Sequence, residues 1–415
     1  MARASHSARP SAASPRCGPS CRSRPAASDR NPPVRAGSLV AEDEASMQNR
    51  PVLIVENDPF PRLLQAFLDV QDDPERTAAI ADFVAHDIPD YPSWLATARA
   101  KADGLYPAQV RLVASQEELQ AAIPEADAVV VESLTVGREE LARTTRLRAV
   151  QKYGTVLHNI NAAACAERNV PVLTVRRRAN IACAEYAFGL MLALAKKLLH
   201  IANRVSLEQL RAAGYAPRDF DRRYTSNSNW ARIGGMRSLH GTTLGIIGLG
   251  EIGREVALRA NAFGMTILYH QRTRLTQAEE RALQVEYCAL DDLLARSDWL
   301  FPLMPANENT RGFLDAARLA RMKHGAVLIN VARAELVDRA ALNSALASGQ
   351  LGGLGLDTYY EEPARADDPL FKLDNVIVTA RIAAQPRWNA FGDLEEVMAG
   401  LARVLRQRPA PRVRA

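Results

Sequence analysis

Short apolar runs alternate with longer stretches of helical pattern along most of the chain. The clearest runs, VLIV at 52–55 and AVVV at 128–131, are typical of buried strands, and two further strands are predicted at 148–153 and 170–175. A second series follows at 243–249, 267–269, 299–303, 326–330, 354–356 and 376–379. Because strands that alternate with helices form parallel sheets, the pattern predicts an α/β protein.

The two series are separated by a stretch, about 184–202, that is apolar over most of its length. It predicts one buried helix, which we expect to pack between domains or subunits. Glu185, Lys196 and Lys197 interrupt the stretch, so it is not expected to span a membrane. Residues 211–238 are polar, basic and aromatic, which indicates a surface excursion before the next core begins.

The first 46 residues differ from the rest, since they are rich in Arg, Ser, Pro and Ala. They bury too little apolar surface to offset their ordering entropy, which predicts a disordered tail. Two explanations remain open, namely an over-long gene start with Met47 as the first residue, or an organellar targeting peptide. The prolines disfavour the amphipathic helix of a targeting peptide, so we favour the start at Met47.

Composition narrows the function classes. The net charge is +5, but residues 1–46 hold seven arginines against four acids, so the remainder is close to neutral. A body of this charge lacks the basic surface of a nucleic-acid binder. Five cysteines at wide spacing argue against a disulfide framework, and we predict no metal site. We expect a cytoplasmic protein.

The strongest motif is a glycine-rich loop directly after an apolar strand. The strand Thr243–Leu249 runs into GxGxxG, and a helical pattern follows. This order predicts a dinucleotide site, because the glycines permit a tight turn, close approach of a pyrophosphate and close helix packing. The pyrophosphate would lie at the helix N-terminus. The residues assigned to the cofactor here are Gly248, Gly250, Glu251, Ile252 and Gly253.

The end of the next strand bears on the choice of cofactor. An NAD site usually carries an acid there, about 20 residues after the loop, on the ribose 2′-hydroxyl. This chain has no acid between Tyr269 and Arg274, and it has Arg272 and Arg274 instead. Guanidinium groups suit a 2′-phosphate, so NADP is favoured over NAD. The alternative is that both arginines are solvated loop residues.

The order of motifs resembles the D-isomer-specific 2-hydroxyacid dehydrogenase family, clearly over residues 148–400 and weakly over 50–147. Segment 329–338, INVARAELVD, resembles the family's "N-x-x-R-G-x-x-V-D", and 355–363, GLDTYYEEP, resembles "LDVFxxEP". The resemblance implies that Arg333 binds the substrate carboxylate and carbonyl and that Glu362 is the catalytic glutamate. It also implies that Asp357 lies near the nicotinamide carboxamide. Segment 305–310 resembles a cofactor-side loop, which assigns Pro305 and Thr310 to the cofactor.

The chain departs from the family where the catalytic histidine is expected. The family's "TPHIAG" corresponds to residues 379–384, TARIAA, so Arg381 takes the histidine position. Arginine stays protonated in proteins and cannot act as an acid and a base in turn. Arg381 would therefore polarise the oxyanion while water or another residue supplies the proton.

Two further departures concern neighbouring segments. The family's substrate-carboxylate loop, "GVGYDNID", corresponds to residues 154–161, GTVLHNIN, which assigns Gly154, Thr155 and Val156 to the substrate. Val156 replaces a glycine, and His158 replaces an acid and is an alternative candidate for the missing histidine. Ala334 replaces a glycine, which matters only if that position needs a positive φ.

The resemblance implies two Rossmann-like parallel-sheet domains, one flavodoxin-like and one dinucleotide-binding, with a cleft between them. We expect residues 47–176 plus 382–412 to form the substrate domain and 177–381 the NAD(P)-binding domain. The expected protein is a homodimeric oxidoreductase that transfers a hydride between NADP or NAD and a small 2-oxo or 2-hydroxy acid. The alternative is a non-catalytic NAD(P)-binding regulatory protein, which the substitution at 381 favours and the retained Arg333 and Glu362 oppose.

Overall fold

The computed structural model describes residues 50–70 and 73–406. The interpretation of residues 1–46 and the predicted domain ends at 47 and 412 lie outside this part of the chain.

Two parallel sheets organise the described residues. The first has the order β2-β1-β3-β4-β5 and consists of β1 Val52–Glu56, β2 Gln109–Val113, β3 Ala128–Val131, β4 Ala149–Lys152 and β5 Val172–Leu173. The second has the order β12-β11-β10-β9-β6-β7-β8. Its strands are β6 Thr243–Ile247, β7 Thr266–His270, β8 Glu286–Tyr287, β9 Trp299–Pro302, β10 Ala326–Asn330, β11 Leu351–Leu356 and β12 Val376–Val378.

Helices connect these strands. Those associated with the first sheet are α1 Leu63–Leu68, α2 Pro74–Val84, α3 Tyr91–Lys101, α4 Gln116–Ala122, α5 Arg138–Ala142 and α6 Ala162–Glu167. Between the sheets lie α7 Arg178–Ala195, α8 Leu198–Ile201 and α9 Leu207–Ala212. The later helices are α10 Glu251–Ala262, α11 Gln277–Leu283, α12 Leu290–Arg296, α13 Ala316–Arg321, α14 Arg339–Ala347 and α15 Trp388–Arg406. Short 3₁₀ helices occupy Ile123–Glu125, Ala334–Leu336 and Pro369–Lys372.

Each sheet is buried on both faces, as parallel sheets usually are. In β1, Leu53 and Val55 join the apolar cluster on one face, while Ile54 joins the cluster on the other. In β6, Ile246 and Ile247 divide in the same way. Because successive side chains of a strand point to opposite faces, the nearly continuous apolar runs in the sequence follow directly from this two-sided burial.

The order of strands in each sheet indicates where a ligand would bind. In both sheets the order reverses at one point, between β1 and β3 in the first and between β6 and β9 in the second. Open parallel sheets bind ligands beyond the carboxyl ends of the strands at such a point. The fold class predicted from the sequence, two parallel-sheet α/β domains, is confirmed. The exact domain boundaries stay a prediction.

Helix α15 returns to the first sheet although it follows the second in the chain. Its apolar face joins the cluster that contains Leu53 and Phe67. Phe391 is fully buried there, with ring centroids 4.7 Å from Trp94 and 5.4 Å from Phe67. The C-terminal helix therefore completes the core of the first domain.

Three local predictions were wrong in detail. The single helix expected at 184–202 instead begins at Arg178 and ends at Ala195, because Lys197 adopts a positive φ of 53° and separates α7 from α8. Strand β2 was missed because only Val110 and Val113 of this edge strand are well buried and Gln109 and Arg111 are exposed, so its apolar run is short. The run at 170–175 forms only the two-residue strand Val172–Leu173.

Among the described residues, no helix is both long enough and apolar enough to cross a membrane.

We expect Phe391→Ala to lower the free energy of unfolding by about 3–5 kcal/mol, because it empties a fully enclosed aromatic site. Urea denaturation measures the change. Trp388→Ala is the matched control on the same helix, since Trp388 is 60% exposed and should change the free energy by about 0.5 kcal/mol or less. Equal effects of the two substitutions would contradict the docking of α15 described here.

Candidate functional site

The glycine-rich loop leaves the carboxyl end of β6 at the reversal point of the second sheet. Gly248 has a φ of +94°, and a Cβ there would lie 3.1 Å from the Leu303 carbonyl oxygen. A Cβ at Gly253 would lie 2.7 Å from the Gly248 carbonyl oxygen, so helix α10 packs directly on the turn. A Cβ at Gly250 would meet nothing within 4 Å, which leaves open space beside the helix N-terminus. The three glycines thus fit the turn, helix packing and ligand approach of a dinucleotide site.

The cofactor-side loop is closed by its own threonine. The Thr310 hydroxyl donates to the Pro305 carbonyl oxygen at 2.7 Å and accepts from the Asn307 N–H at 2.8 Å. The loop follows β9, the strand next to β6, so both loops lie at the same edge of the sheet. Thr310 therefore fixes the shape of this loop.

The two arginines after β7, Arg272 and Arg274, differ in their surroundings. Arg274 makes a two-point ion pair with Glu280, with distances of 2.7 and 2.9 Å. Hydrogen bonds from Arg274 and the Tyr269 hydroxyl lower the pKa of Glu280 to about 2, so the pair is charged at neutral pH. Arg272 lies exposed in the same turn. Gln271 accepts a hydrogen bond from the Leu249 N–H at 3.1 Å, which ties this turn to the glycine loop.

Arg381 and Glu362 form an ion pair, with 2.9 Å between Nη1 and Oε2. The other carboxylate oxygen of Glu362 accepts from the Tyr359 N–H at 3.0 Å. The Tyr359 N–H and then Arg381 lower the pKa of Glu362, and Arg333 acts in the same direction. Glu362 is therefore a carboxylate at neutral pH, and it faces a guanidinium that cannot give up its proton.

A buried carboxylate holds the segment that carries Arg381. Asp357 is 2% exposed and accepts from the Thr379 hydroxyl at 2.7 Å, the Ile382 N–H at 2.9 Å and the Ala383 N–H at 2.8 Å. Arg381 itself has a φ of +56°, a left-handed conformation that side chains with a Cβ seldom adopt. Asp357 thus stabilises an unfavourable backbone and directs Arg381 towards Glu362.

Arg333 follows the carboxyl end of β10 and is exposed. The buried Asn330 shapes its turn, since its side chain donates to the Arg333 carbonyl oxygen at 2.7 Å and accepts from the Ala332 N–H at 2.9 Å. The charge of Arg333 also acts on Glu362, which pairs with Arg381, so the three residues form one electrostatic group. Ala334 begins a 3₁₀ helix and is not among the residues with positive φ, so its replacement of glycine is accommodated.

The loop assigned to the substrate carboxylate contacts the glycine-rich loop. The Glu251 carboxylate accepts from the Thr155 N–H and the Val156 N–H, each at 2.7 Å, and from the Thr155 hydroxyl at 3.0 Å. Glu251 is the first residue of α10, so this contact joins the second domain to the first. From the sequence, Thr155 and Val156 were assigned to the substrate and Glu251 to the cofactor. The hydrogen bonds between them were not predicted.

A buried charged cluster at the carboxyl edge of the first sheet was missed. Glu132, just after β3, pairs with Arg177 at 2.6 Å, and burial raises the pKa of Glu132. Lys152, the last residue of β4, donates to the Glu132 carbonyl oxygen and, at 3.0 Å, to the Asn159 side-chain oxygen. A signal was present in the sequence, because a charged residue ends or directly follows each of the buried strands β1, β3 and β4.

His158 belongs to the same surroundings. Loss of solvation and then the charge of Lys152 lower its pKa, while Glu251 acts in the opposite direction. The ring is therefore mainly neutral at pH 7. It is exposed, and the charges that act on it are those of Lys152 and Glu251.

Comparison with known proteins agrees with this geometry. The model of the D-isomer specific 2-hydroxyacid dehydrogenase, NAD binding domain, matches residues 188–383. Glyoxylate reductase from Pyrococcus furiosus is 34% identical over 270 residues, which cover 65% of this chain and 76% of that protein. D-3-phosphoglycerate dehydrogenase from Mycobacterium tuberculosis is 35% identical over 270 residues, or 65% of this chain and 47% of that protein. The chain thus spans about half the length of the phosphoglycerate dehydrogenases that it matches.

A solved structure supports the fold. The holo form of D-mandelate dehydrogenase from Rhodotorula graminis superposes with a TM-score of 0.50 at 20% identity, covering 85% of this chain and 93% of that one. On the matched domain, the identity to glyoxylate reductase and the site geometry together, the chain belongs to the D-isomer-specific 2-hydroxyacid dehydrogenase family.

Proposed function

We propose that the chain is an NAD(P)-dependent oxidoreductase that transfers a hydride between nicotinamide and a small 2-oxo or 2-hydroxy acid. The observation that carries the proposal is the 2.9 Å ion pair between Arg381 and Glu362, with Arg333 near the same carboxylate. Two guanidinium groups beside one acid suit a substrate that carries a carboxylate next to a carbonyl. A dehydrogenase on an inorganic oxyanion is also compatible with this charge, but family membership favours the organic acid.

The residues of the glycine loop fit a dinucleotide. The open space at Gly250 and the N-terminus of α10 would hold the pyrophosphate, and Thr310 would shape the opposite loop. The nicotinamide supplies or accepts the hydride when it is bound.

Each charged residue has a distinct task in the proposal. Arg333 binds the substrate carboxylate through its planar guanidinium. Arg381 faces the carbonyl oxygen and stabilises the negative charge that develops there, while Glu362 fixes its orientation. Because arginine does not give up its proton, water delivers the proton to the product oxygen. Asp357 acts as a positioning residue, since its oxygens hold the 379–383 segment.

A non-catalytic NAD(P)-binding regulatory protein is the second candidate. The observation that favours it is the arginine at 381, since loss of a general acid typically costs about 10²–10⁴-fold in rate. The retained contact between Arg381 and Glu362 opposes it, because a cofactor sensor has no need of a charged pair in the cleft.

A homodimer in the cytoplasm is also part of the proposal. Several large apolar side chains are exposed within segment 198–236, including Leu199, Val205 and Tyr224. Such residues are typical of a subunit contact, and sedimentation equilibrium tests the assembly; a monomer at all concentrations would reject it.

The direct test is oxidation of NADPH and NADH with glyoxylate, hydroxypyruvate, pyruvate and phenylpyruvate. We expect slow turnover by the wild-type protein and an increase of about 10²-fold or more in kcat for Arg381→His. Histidine restores a proton donor beside Glu362 and tolerates the left-handed backbone at this position. Arg381→Lys is the control, since it keeps the charge and should not raise kcat.

Wild-type protein that binds NADPH but reduces none of the four acids, while Arg381→His does, would favour the regulatory protein. Absence of turnover in both proteins would reject the assignment of Arg333 and Glu362 to a 2-oxo acid.

NADP(H) is the proposed cofactor, because Gln271 stands where an acid would bind the ribose and Arg272 is exposed beside it. We expect Arg272→Ala to weaken NADPH binding about tenfold and to leave NADH binding unchanged. Arg274→Ala should have a smaller effect, since Glu280 already neutralises Arg274. Fluorescence titration measures both affinities, and equal losses for the two cofactors would contradict the 2′-phosphate assignment.

A further inference from the structure

The carboxylate of Glu251 fills a site built for an anion. Its Oε1 accepts two backbone N–H groups, from Thr155 and Val156, each at 2.7 Å. Its Oε2 accepts from the Thr155 hydroxyl at 3.0 Å. Adjacent backbone N–H groups that converge on one oxygen are a common means of binding a carboxylate.

Positive charge supports the same place. Burial lowers the pKa of Lys152, and the carboxylates of Glu132 and Glu251 act against this shift, so the Lys152 ammonium lies within the field of Glu251. The hydrogen bonds from Thr155 and Val156 to the Glu251 carboxylate are charge-assisted, and such bonds are roughly twice as strong as neutral ones.

The loop is shaped around the carboxylate. Gly154 has a φ of +147°, and a Cβ there would lie 2.8 Å from the Glu251 Oε1 atom. A side chain at 154 would therefore push the carboxylate away from the two N–H groups. The fit involves Gly154, Thr155 and Val156, the same three residues that the family resemblance assigns to the substrate carboxylate.

The position of Glu251 in the chain makes its side chain unsuited to the cofactor. It begins helix α10, where the pyrophosphate of a dinucleotide would bind. An acidic side chain repels a pyrophosphate, whereas its backbone N–H does not. The side chain extends across the cleft to the other domain instead.

We propose that Glu251 is a tethered competitor for the substrate carboxylate, which a 2-oxo acid has to displace from the N–H groups of Thr155 and Val156. The inference rests on the proposed function and extends it to the selectivity of the same site. A tethered group acts at an effective concentration on the order of millimolar, so a small acid with one carboxylate competes poorly at lower concentrations. Glu251 thereby selects substrates that gain further binding energy at Arg333 and Arg381.

Binding of oxamate, an unreactive 2-oxo-acid analogue, tests this without any turnover. Calorimetric titration in the presence of NADPH should show about tenfold tighter binding to Glu251→Gln, because the competitor loses its charge. Glu251→Asp should also bind more tightly, since it keeps the charge but is one methylene too short to reach both N–H groups. Glu117→Gln is the matched control, because it removes one charge from an exposed first-turn position of another helix, α4, and should bind as the wild type does.

Tighter binding by Glu251→Gln with wild-type affinity in Glu251→Asp would overturn the inference, because charge alone would then explain the effect. Unchanged or absent oxamate binding in Glu251→Gln would overturn it as well, since the freed N–H groups must bind a carboxylate.

Hydrogen exchange provides a readout that needs no ligand. The Thr155 and Val156 amides should exchange faster in Glu251→Ala than in the wild type, while equal rates would contradict the contact. Neither measurement depends on hydride transfer. Oxamate and exchange results as expected, together with no turnover of any 2-oxo acid, would reject the proposed function and leave the carboxylate competition intact.

Discussion

The buried carboxylate of Asp357 is the interaction on which the candidate site depends. It binds two successive N–H groups and one hydroxyl of the 379–383 segment, and so holds Arg381 in a left-handed conformation. Such a conformation costs about 1–2 kcal/mol for a residue with a Cβ, and hydrogen bonds to a charged acceptor are strong enough to offset it. The Arg381–Glu362 pair exists because this backbone is fixed.

The two sheets explain why these groups lie at the carboxyl ends of parallel strands. Each domain presents the carboxyl ends of its parallel strands, where polar residues follow apolar ones. Arg333 follows β10, the glycine loop follows β6, and the Glu132–Arg177 and Lys152 cluster lies at the end of β3 and β4. Glu251 and loop 154–156 then join the two edges by direct hydrogen bonds. The carboxyl edges of the two sheets are therefore rich in ion pairs, and burial raises the pKa of one member, Glu132.

The sequence predicted what depends on local pattern and left open what depends on distant neighbours. The tight turn at Gly248 and the close helix packing at Gly253 could be predicted because backbone geometry alone decides where a Cβ is tolerated. Strand β2 and the helix break at Lys197 could not be predicted. An edge strand has few apolar residues, and nothing in the sequence marks a lysine that adopts a positive φ. The hydrogen-bond partners of the Glu251 side chain could not be predicted either, because they lie 95 and 96 residues away in the sequence. Arg274 was predicted to be free for a phosphate, but its neighbour Glu280 pairs with it.

The arginine at 381 distinguishes this chain from the family pattern it resembles. A guanidinium can stabilise an oxyanion but cannot supply a proton. We therefore assign charge stabilisation to Arg381 and proton delivery to water. The pH dependence of kcat/KM for NADPH-linked reduction of glyoxylate tests that separation most directly. We expect a profile without a step between about pH 5.5 and 8, because arginine stays protonated in proteins and the pKa of Glu362 is lowered. A step near pH 6–7 would contradict it and would assign proton transfer to a titrating group such as His158 or Glu132.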